Sequence, residues 1–339
     1  MRGDALPRRA RIDLALTVAL AAGLYIRLSP LVFPPYTSDF DQLVLAARAW
    51  RTAGGDPYTV VLETHRRLGL DFGLVYPFPA VVAALPFSFA SLPWARAIVG
   101  ALGAGCLTYL TLGRAWWLFP ILLSGAFRSA LSTVQIAPFA ACAVLAPAFG
   151  WVLAYKPNVG LATLVTGTRR QWFAAFLGSA ALLTIISLAL WPSWVPVWWD
   201  ALRTGIRFSA LITAPFGWLL LLALLRWRRP EARWLLVTAL IPGTPGAYDA
   251  LPLLLLLPQS FRQALVFALL SHAGDLAGYV IPHGEGMVGL NAGRSVVLLG
   301  TLYLPALIVI LARPNVGPSP AWAEWWAKKF PPWVRGVPE

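Results

Sequence analysis

The sequence predicts an all-α membrane protein: one polytopic bundle of about eight to eleven transmembrane helices, at roughly 20 apolar residues per crossing. Composition is the first reason. Of 339 residues, 58% are hydrophobic and only 12% are charged, and the mean hydropathy is +0.68. A water-soluble domain carries about 25% charged residues, so too few remain here to cover a water-facing surface. The second reason is arrangement. Apolar runs recur along the whole chain with short polar connectors, so residues 1–339 read as a single integral membrane domain.

The net charge of +13 does not indicate nucleic acid. The basic residues are scattered between apolar runs and flank them, where lipid headgroups would meet them. Cys106 and Cys142 stand inside apolar runs and define neither a disulfide framework nor a metal site. His65, His272 and His283 have no metal-ligand spacing. No metal and no cofactor is expected.

Residues 1–11 contain Arg2, Arg8, Arg9 and Arg11, ahead of an apolar run that begins at Ile12. A retained first span, with a basic cytoplasmic amino terminus, fits better than a cleaved signal peptide, because many further spans follow. Residues 34–77 then form the first extracytoplasmic loop, with Asp39, Asp41, Asp56, Glu63 and Asp71. Within it, residues 42–50 alternate at helical period and Gly54-Gly55 stops them. The expectation is a short amphipathic helix beside the membrane surface.

Apolar runs follow at about 79–92, 95–112, 116–131, 136–155, 157–165, 172–191, 212–225, 234–241, 251–257, 261–281 and 295–311. Several are too short for a full crossing, and many are bracketed by proline. Broken segments survive in a bilayer where other helices or a polar cavity satisfy their backbone groups, so the bundle should enclose a cavity. Arg169-Arg170, the loop 226–233 and the Trp- and Pro-rich basic tail 313–339 are expected in the cytoplasm, and residues 191–199 as an outer aromatic belt.

Each polar candidate has an ordinary and a functional reading. Asp39 and Asp41 open the loop helix, where an Asp is an ordinary N-cap. Near a membrane interface, however, a carboxylate is costly unless it is hydrated, paired or in use. Lys156 follows a long apolar run and is either a snorkelling side chain or an intramembrane functional group. Gln135 either bridges helices or serves a site. Arg48 and Arg51 read first as headgroup contacts, with Arg48, Arg51, His65, Arg66 and Lys156 as candidate partners for an anionic group. Tyr58 and Tyr76 read first as interfacial belt residues. His272 with Asp275, and His283 with Glu285, read as structural.

In order, the segments Asp39-Phe-Asp-Gln-Leu-Val-Leu-Ala-Ala-Arg-Ala-Trp50 and Gly54-Gly-Asp-Pro-Tyr58 resemble the first-loop signature of glycosyltransferase family 87. Tyr76-Pro-Phe-Pro79 with Leu85-Pro86 resembles that family's Tyr-Pro-Pro block. Lys156-Pro-Asn158, preceded by Gln135, resembles its Lys-Pro-Gln/Asn element, and Tyr248-Asp249 is a weaker echo. Leu43 and Val44 stand where the family often has aromatics, and Val134 replaces the Gly of its Gly-Gln.

The resemblance implies a C-type membrane glycosyltransferase fold in the cytoplasmic membrane, with the site facing outward. The implied reaction transfers a hexose, mannose being expected, from a polyprenyl-phosphate donor to a glycolipid or cell-envelope glycan. Asp39 would be the general base, with Asp41 second. Arg48, Tyr58, His65, Arg66, Tyr76, Gln135, Lys156, Tyr248 and Asp249 would contact substrate. The alternatives are a transporter or flippase for a lipid-linked substrate, which should carry an ionisable pair at mid-membrane, and an inactive family member.

Overall fold

The structure, a computed structural model, describes residues 5–28, 38–67, 73–204, 209–243, 246–280 and 286–316. Among these residues it is helical throughout, with no strand. The first two long helices set the frame. Helix α1 (Arg8–Leu28) lies along α5 (Leu92–Arg114), and between them α2 (Asp39–Ala53), α3 (Pro57–Arg67) and α4 (Phe78–Ala84) fold over one end. The α1–α5 contact is built from small residues. A Cβ added at Gly105 would stand 3.1 Å from Ala19 Cβ, and one at Gly23 would stand 3.3 Å from Ala101 Cβ. Small side chains let two helices approach closely where lipid supplies no hydrophobic drive for association.

The middle of the chain is a run of short helices: α6 (Gly125–Ser132), α7 (Ala137–Leu145), α8 (Val152–Tyr155) and α9 (Pro157–Leu164). After α10 (Arg170–Leu190) and α11 (Trp194–Thr204) come α12 (Pro230–Leu240), α13 (Leu251–Leu256), α14 (Phe261–Val280), α15 (Gly286–Leu298) and α16 (Leu304–Leu311). Proline is in the first turn of α4, α5, α7, α9, α12, α13 and α16. Its fixed φ starts a helix there, and its missing N–H prevents one from continuing through. This is the physical origin of the broken segments. One turn of π-helix, Leu299–Tyr303, joins α15 to α16.

Among the described residues, three helices are long and apolar enough to cross a membrane: Leu92–Arg114, Arg170–Leu190 and Ala292–Leu311. That supports a membrane protein; the expected eight to eleven spans are not resolved by these helices. Outward-facing apolar ridges point the same way. Leu16, Leu20, Leu24 and Leu28 of α1 repeat every fourth residue and are 58–68% exposed, an arrangement suited to lipid contact.

Helix α2 is longer than the expected segment and is not a surface element. Phe40, Leu43, Val44, Ala46 and Ala47 are buried. It ends at Gly54, whose φ of +58° suits glycine and whose N–H donates to the Trp50 carbonyl. Of the segment expected as an outer belt, Trp191, Trp194 and Trp198 are used inside the fold, whereas Pro192, Ser193, Val195 and Pro196 are exposed. Trp191 stacks on Trp50 at 5.2 Å and meets Phe78 edge-on at 5.1 Å. Trp198 Nε1 donates to the Val75 carbonyl at 3.0 Å, while Trp199 is exposed.

The basic loop 226–233 also has tertiary work. Arg226 donates to the carbonyls of Arg313 (2.5 Å) and Leu311 (3.1 Å). Arg233 donates to Val165, Thr166 and Gly167, and Arg229 and Arg313 both reach buried Glu231. Guanidinium groups here satisfy the free carbonyls at the ends of α9 and α16. The tail was expected over 313–339; residues 317–339, with Lys328-Lys329, lie outside the described residues, as do His283 and Glu285.

Candidate functional site

Asp39 is the first residue of α2. Ser38 caps the helix: its hydroxyl accepts from Asp41 N–H, and the Asp41 carboxylate accepts from Ser38 N–H in return. The cap therefore occupies Asp41 and leaves the Asp39 side chain free to face the bundle. Asp39 Oδ2 accepts two hydrogen bonds, from the Tyr76 hydroxyl at 2.8 Å and from Gln135 Nε2 at 2.8 Å. Among the described residues nothing donates to Oδ1. Three residues far apart in sequence thus meet at one carboxylate.

The cluster continues inward. The Tyr76 ring meets Tyr155 edge-on at 5.8 Å. Next in the chain, Lys156 pairs with Asp249 at 3.2 Å and stands 5.3 Å from the centre of the Tyr248 ring. Tyr248 and Asp249 both lie within electrostatic reach of Asp39, and Arg294 lies within reach of Tyr248. The sharp turn between α8 and α9 that presents Tyr155 and Lys156 depends on Gly160, because a side chain there would collide with the Leu153 backbone.

A cavity of about 430 Å³ opens beside Asp39. Phe40 and Gln135, the chain neighbour and the hydrogen-bond partner of Asp39, line it together with Tyr155, Phe139, Trp151, Leu182 and Ile186. Its wall is almost entirely apolar and includes the outward helix α10. A second, smaller cavity of about 60 Å³ is lined in part by Thr133, Tyr248, Asp275 and Arg294.

The other residues named from sequence are placed differently. Asp41 is fully buried, with both oxygens held by Arg96 at 2.7 and 2.5 Å. A carboxylate so engaged and fully buried is not accessible to a substrate, so its observed role is to dock α2 on α5. Arg48 donates to the carbonyls of Ser88 (3.2 Å) and Ala90 (2.5 Å), which ties α2 to the turn after α4. Tyr58 is buried and donates to the Tyr76 carbonyl at 3.1 Å; it supports Tyr76 and does not face the cavity. Burial, with the Asp56 charge added, raises its phenol above the usual range. His65 is buried on α3, and Arg66 is exposed. Arg51 stands over the Phe89 ring at 4.4 Å.

Tyr155 and Arg294 were not singled out in the sequence. Tyr155 adjoins Lys156, and an aromatic next to an intramembrane lysine was the available signal. Arg294 starts the last apolar run and reads there as an ordinary flanking charge. His272 Nε2 contacts the Leu123 carbonyl at 2.7 Å, and Asp275 pairs with Arg128, both structural contacts. Among the described residues there is no group of three or more His, Cys, Asp or Glu arranged to hold a metal.

Val134 has φ +48°. A β-branched residue rarely adopts this left-handed backbone, which costs of order 1–3 kcal/mol. The strain immediately precedes Gln135 and turns its side chain toward Asp39.

Compared with known proteins, the chain matches no family model, no curated protein and no solved structure.

Proposed function

We propose that this chain is a membrane glycosyltransferase that moves a hexose, mannose being the expected sugar, from a polyprenyl-phosphate donor to a glycolipid or cell-envelope glycan. The observation that carries the reading is Asp39. It is a carboxylate oriented by two neutral donors, with one oxygen unengaged among the described residues, beside an apolar cavity of about 430 Å³. Asp39 Oδ1 takes the proton of an acceptor hydroxyl as that oxygen attacks the anomeric carbon. The bond from that carbon to the phosphate oxygen breaks, its electron pair leaves with the lipid phosphate, and the configuration inverts. The apolar cavity along α10 suits the polyprenyl chain. Developing charge on the departing phosphate needs a cation. Lys156 is within the cluster but already paired with Asp249; Arg294 has no ion pair among the described residues.

A second reading has its own observation. Lys156–Asp249 is a largely buried ionisable pair between helices, which a coupled transporter or flippase of lipid-linked substrates would use. One set of experiments separates the two. Purified protein is given radiolabelled polyprenol-phosphate-mannose and a lipid extract, and wild type is compared with Asp39→Asn. Loss of a general base lowers the rate by about a hundredfold or more. Equal product from both proteins removes Asp39 as the base. No product from wild type, together with movement of labelled lipid across proteoliposomes that Asp249→Asn abolishes, establishes the transporter.

A further inference from the structure

We propose that a groove between α1, α5 and α7, at the end of the molecule opposite the α2–α5 contact, binds a phosphate anion, the phosphodiester of an anionic phospholipid headgroup. The groove encloses about 340 Å³ and is lined by Arg11, Leu110, Gly113, Arg114, Val144 and Leu145. Two guanidinium groups from two different helices meet at a hollow whose other walls are apolar or backbone. An anion between them would offset the repulsion of these like charges.

Arg11 is held in place. Its guanidinium carbon lies 4.8 Å from the Tyr109 ring centre, and its Nη1 occupies the space that a side chain at Gly113 would take. Its Nε is buried without a hydrogen-bond partner. Neither Arg11 nor Arg114 has an ion pair among the described residues. Glu231 is within electrostatic reach of Arg114, but Arg229 and Arg313 already hold it. Planar guanidinium forks match phosphate oxygens two at a time.

Depth selects the source of the phosphate. Arg114 is the last residue of a 23-residue apolar helix long enough to span a bilayer, so it stands at headgroup level. Leu110, Val144 and Leu145 lie where the glycerol and first acyl carbons would follow.

The full chain, purified in mild detergent, is titrated by native mass spectrometry with phosphatidylglycerol, phosphatidylcholine and, separately, inorganic phosphate. Wild type is expected to retain phosphatidylglycerol roughly tenfold over phosphatidylcholine. Arg11→Gln with Arg114→Gln should lose that preference. Arg170→Gln, an exposed arginine outside the groove, should keep it. Leu110→Trp, which fills the hollow and leaves both charges, should also displace the lipid, so a folding defect of the double variant does not decide the result. Displacement of phosphatidylglycerol by inorganic phosphate at equal concentration would keep the anion site and assign it to soluble phosphate. Retention unchanged in both the double variant and Leu110→Trp, or lost equally in Arg170→Gln, overturns the proposal.

Discussion

Asp39 and Asp41 are two residues apart, and their surroundings give them opposite properties. Asp41 faces a guanidinium fork and is fixed as an ion-pair acceptor. Asp39 faces a phenol and an amide, neutral donors that orient the carboxylate without cancelling its charge. A general base needs this second environment, because a cation at contact would hold the proton off. Each hydrogen bond to a charged group contributes about 1.5–3 kcal/mol. Tyr76→Phe and Gln135→Leu should therefore each lower kcat roughly tenfold, with KM little changed, in the mannose-transfer assay. A change in KM alone would mean that these side chains bind substrate and do not position the base. The sequence made most of this cluster visible, since Asp39, Tyr76, Gln135, Lys156, Tyr248 and Asp249 all carry polar groups at unusual points of an apolar chain. Position alone does not separate Asp39 from Asp41; only the family resemblance puts Asp39 first. The structural difference between the two rests on Arg96, which lies 55 residues further along the chain than Asp41 and reads as one more flanking charge.

At the scale of elements, α2 is the part whose placement matters most, and Asp41–Arg96 is its anchor to α5. Removing one partner of a buried ion pair costs about 3–5 kcal/mol, because the other charge is left unpaired. Asp41→Asn should thus lower the thermal unfolding midpoint in detergent, and residual transfer should follow the folded fraction. Full stability with lost transfer would instead return Asp41 to the chemistry. Helical period and the Gly54-Gly55 stop made α2 legible, but not its burial: Phe40, Leu43, Val44 and Ala47 could equally have faced lipid. Helix α3 was not anticipated, because its sequence from Pro57 to Arg67 mixes polar and apolar residues without a clean stripe. Proline signalled that the central segments would be broken. It could not signal that α8 and α9 fold sharply enough to bring Tyr155 beneath Tyr76, which depends on a backbone approach at Gly160.

For the whole molecule, charge separates along the axis of α5. Arg96, held by Asp41, and Arg114, at the basic end, are about 27 Å apart at 1.5 Å per residue, close to the hydrocarbon thickness of a bilayer. Arg114 shares its groove with Arg11 and lies within electrostatic reach of Glu231, which Arg229 and Arg313 hold, while Arg226 and Arg233 bond helix-end carbonyls. The loop helices α2 and α3, whose acidic and basic residues balance over 38–67, lie at the other end. The Asp39 cluster is set inward from that end: α7, about 13 Å long at the same rise, separates Gln135 from Leu145 in the basic-end groove. A carboxylate at that depth can meet a sugar whose lipid tail stays in the bilayer. From the bias of basic residues toward the cytoplasm we propose that the Asp39 end faces out. Cysteine labelling tests this directly in a background with Cys106→Ala and Cys142→Ala. Glu63→Cys, exposed on α3, should react with a membrane-impermeant maleimide on intact cells, whereas Arg170→Cys, exposed at the start of α10, should react only after permeabilisation. The reverse pattern would turn the Asp39 cavity toward the cytoplasm. An outward-facing transferase would then be untenable, whatever the chemistry of its base.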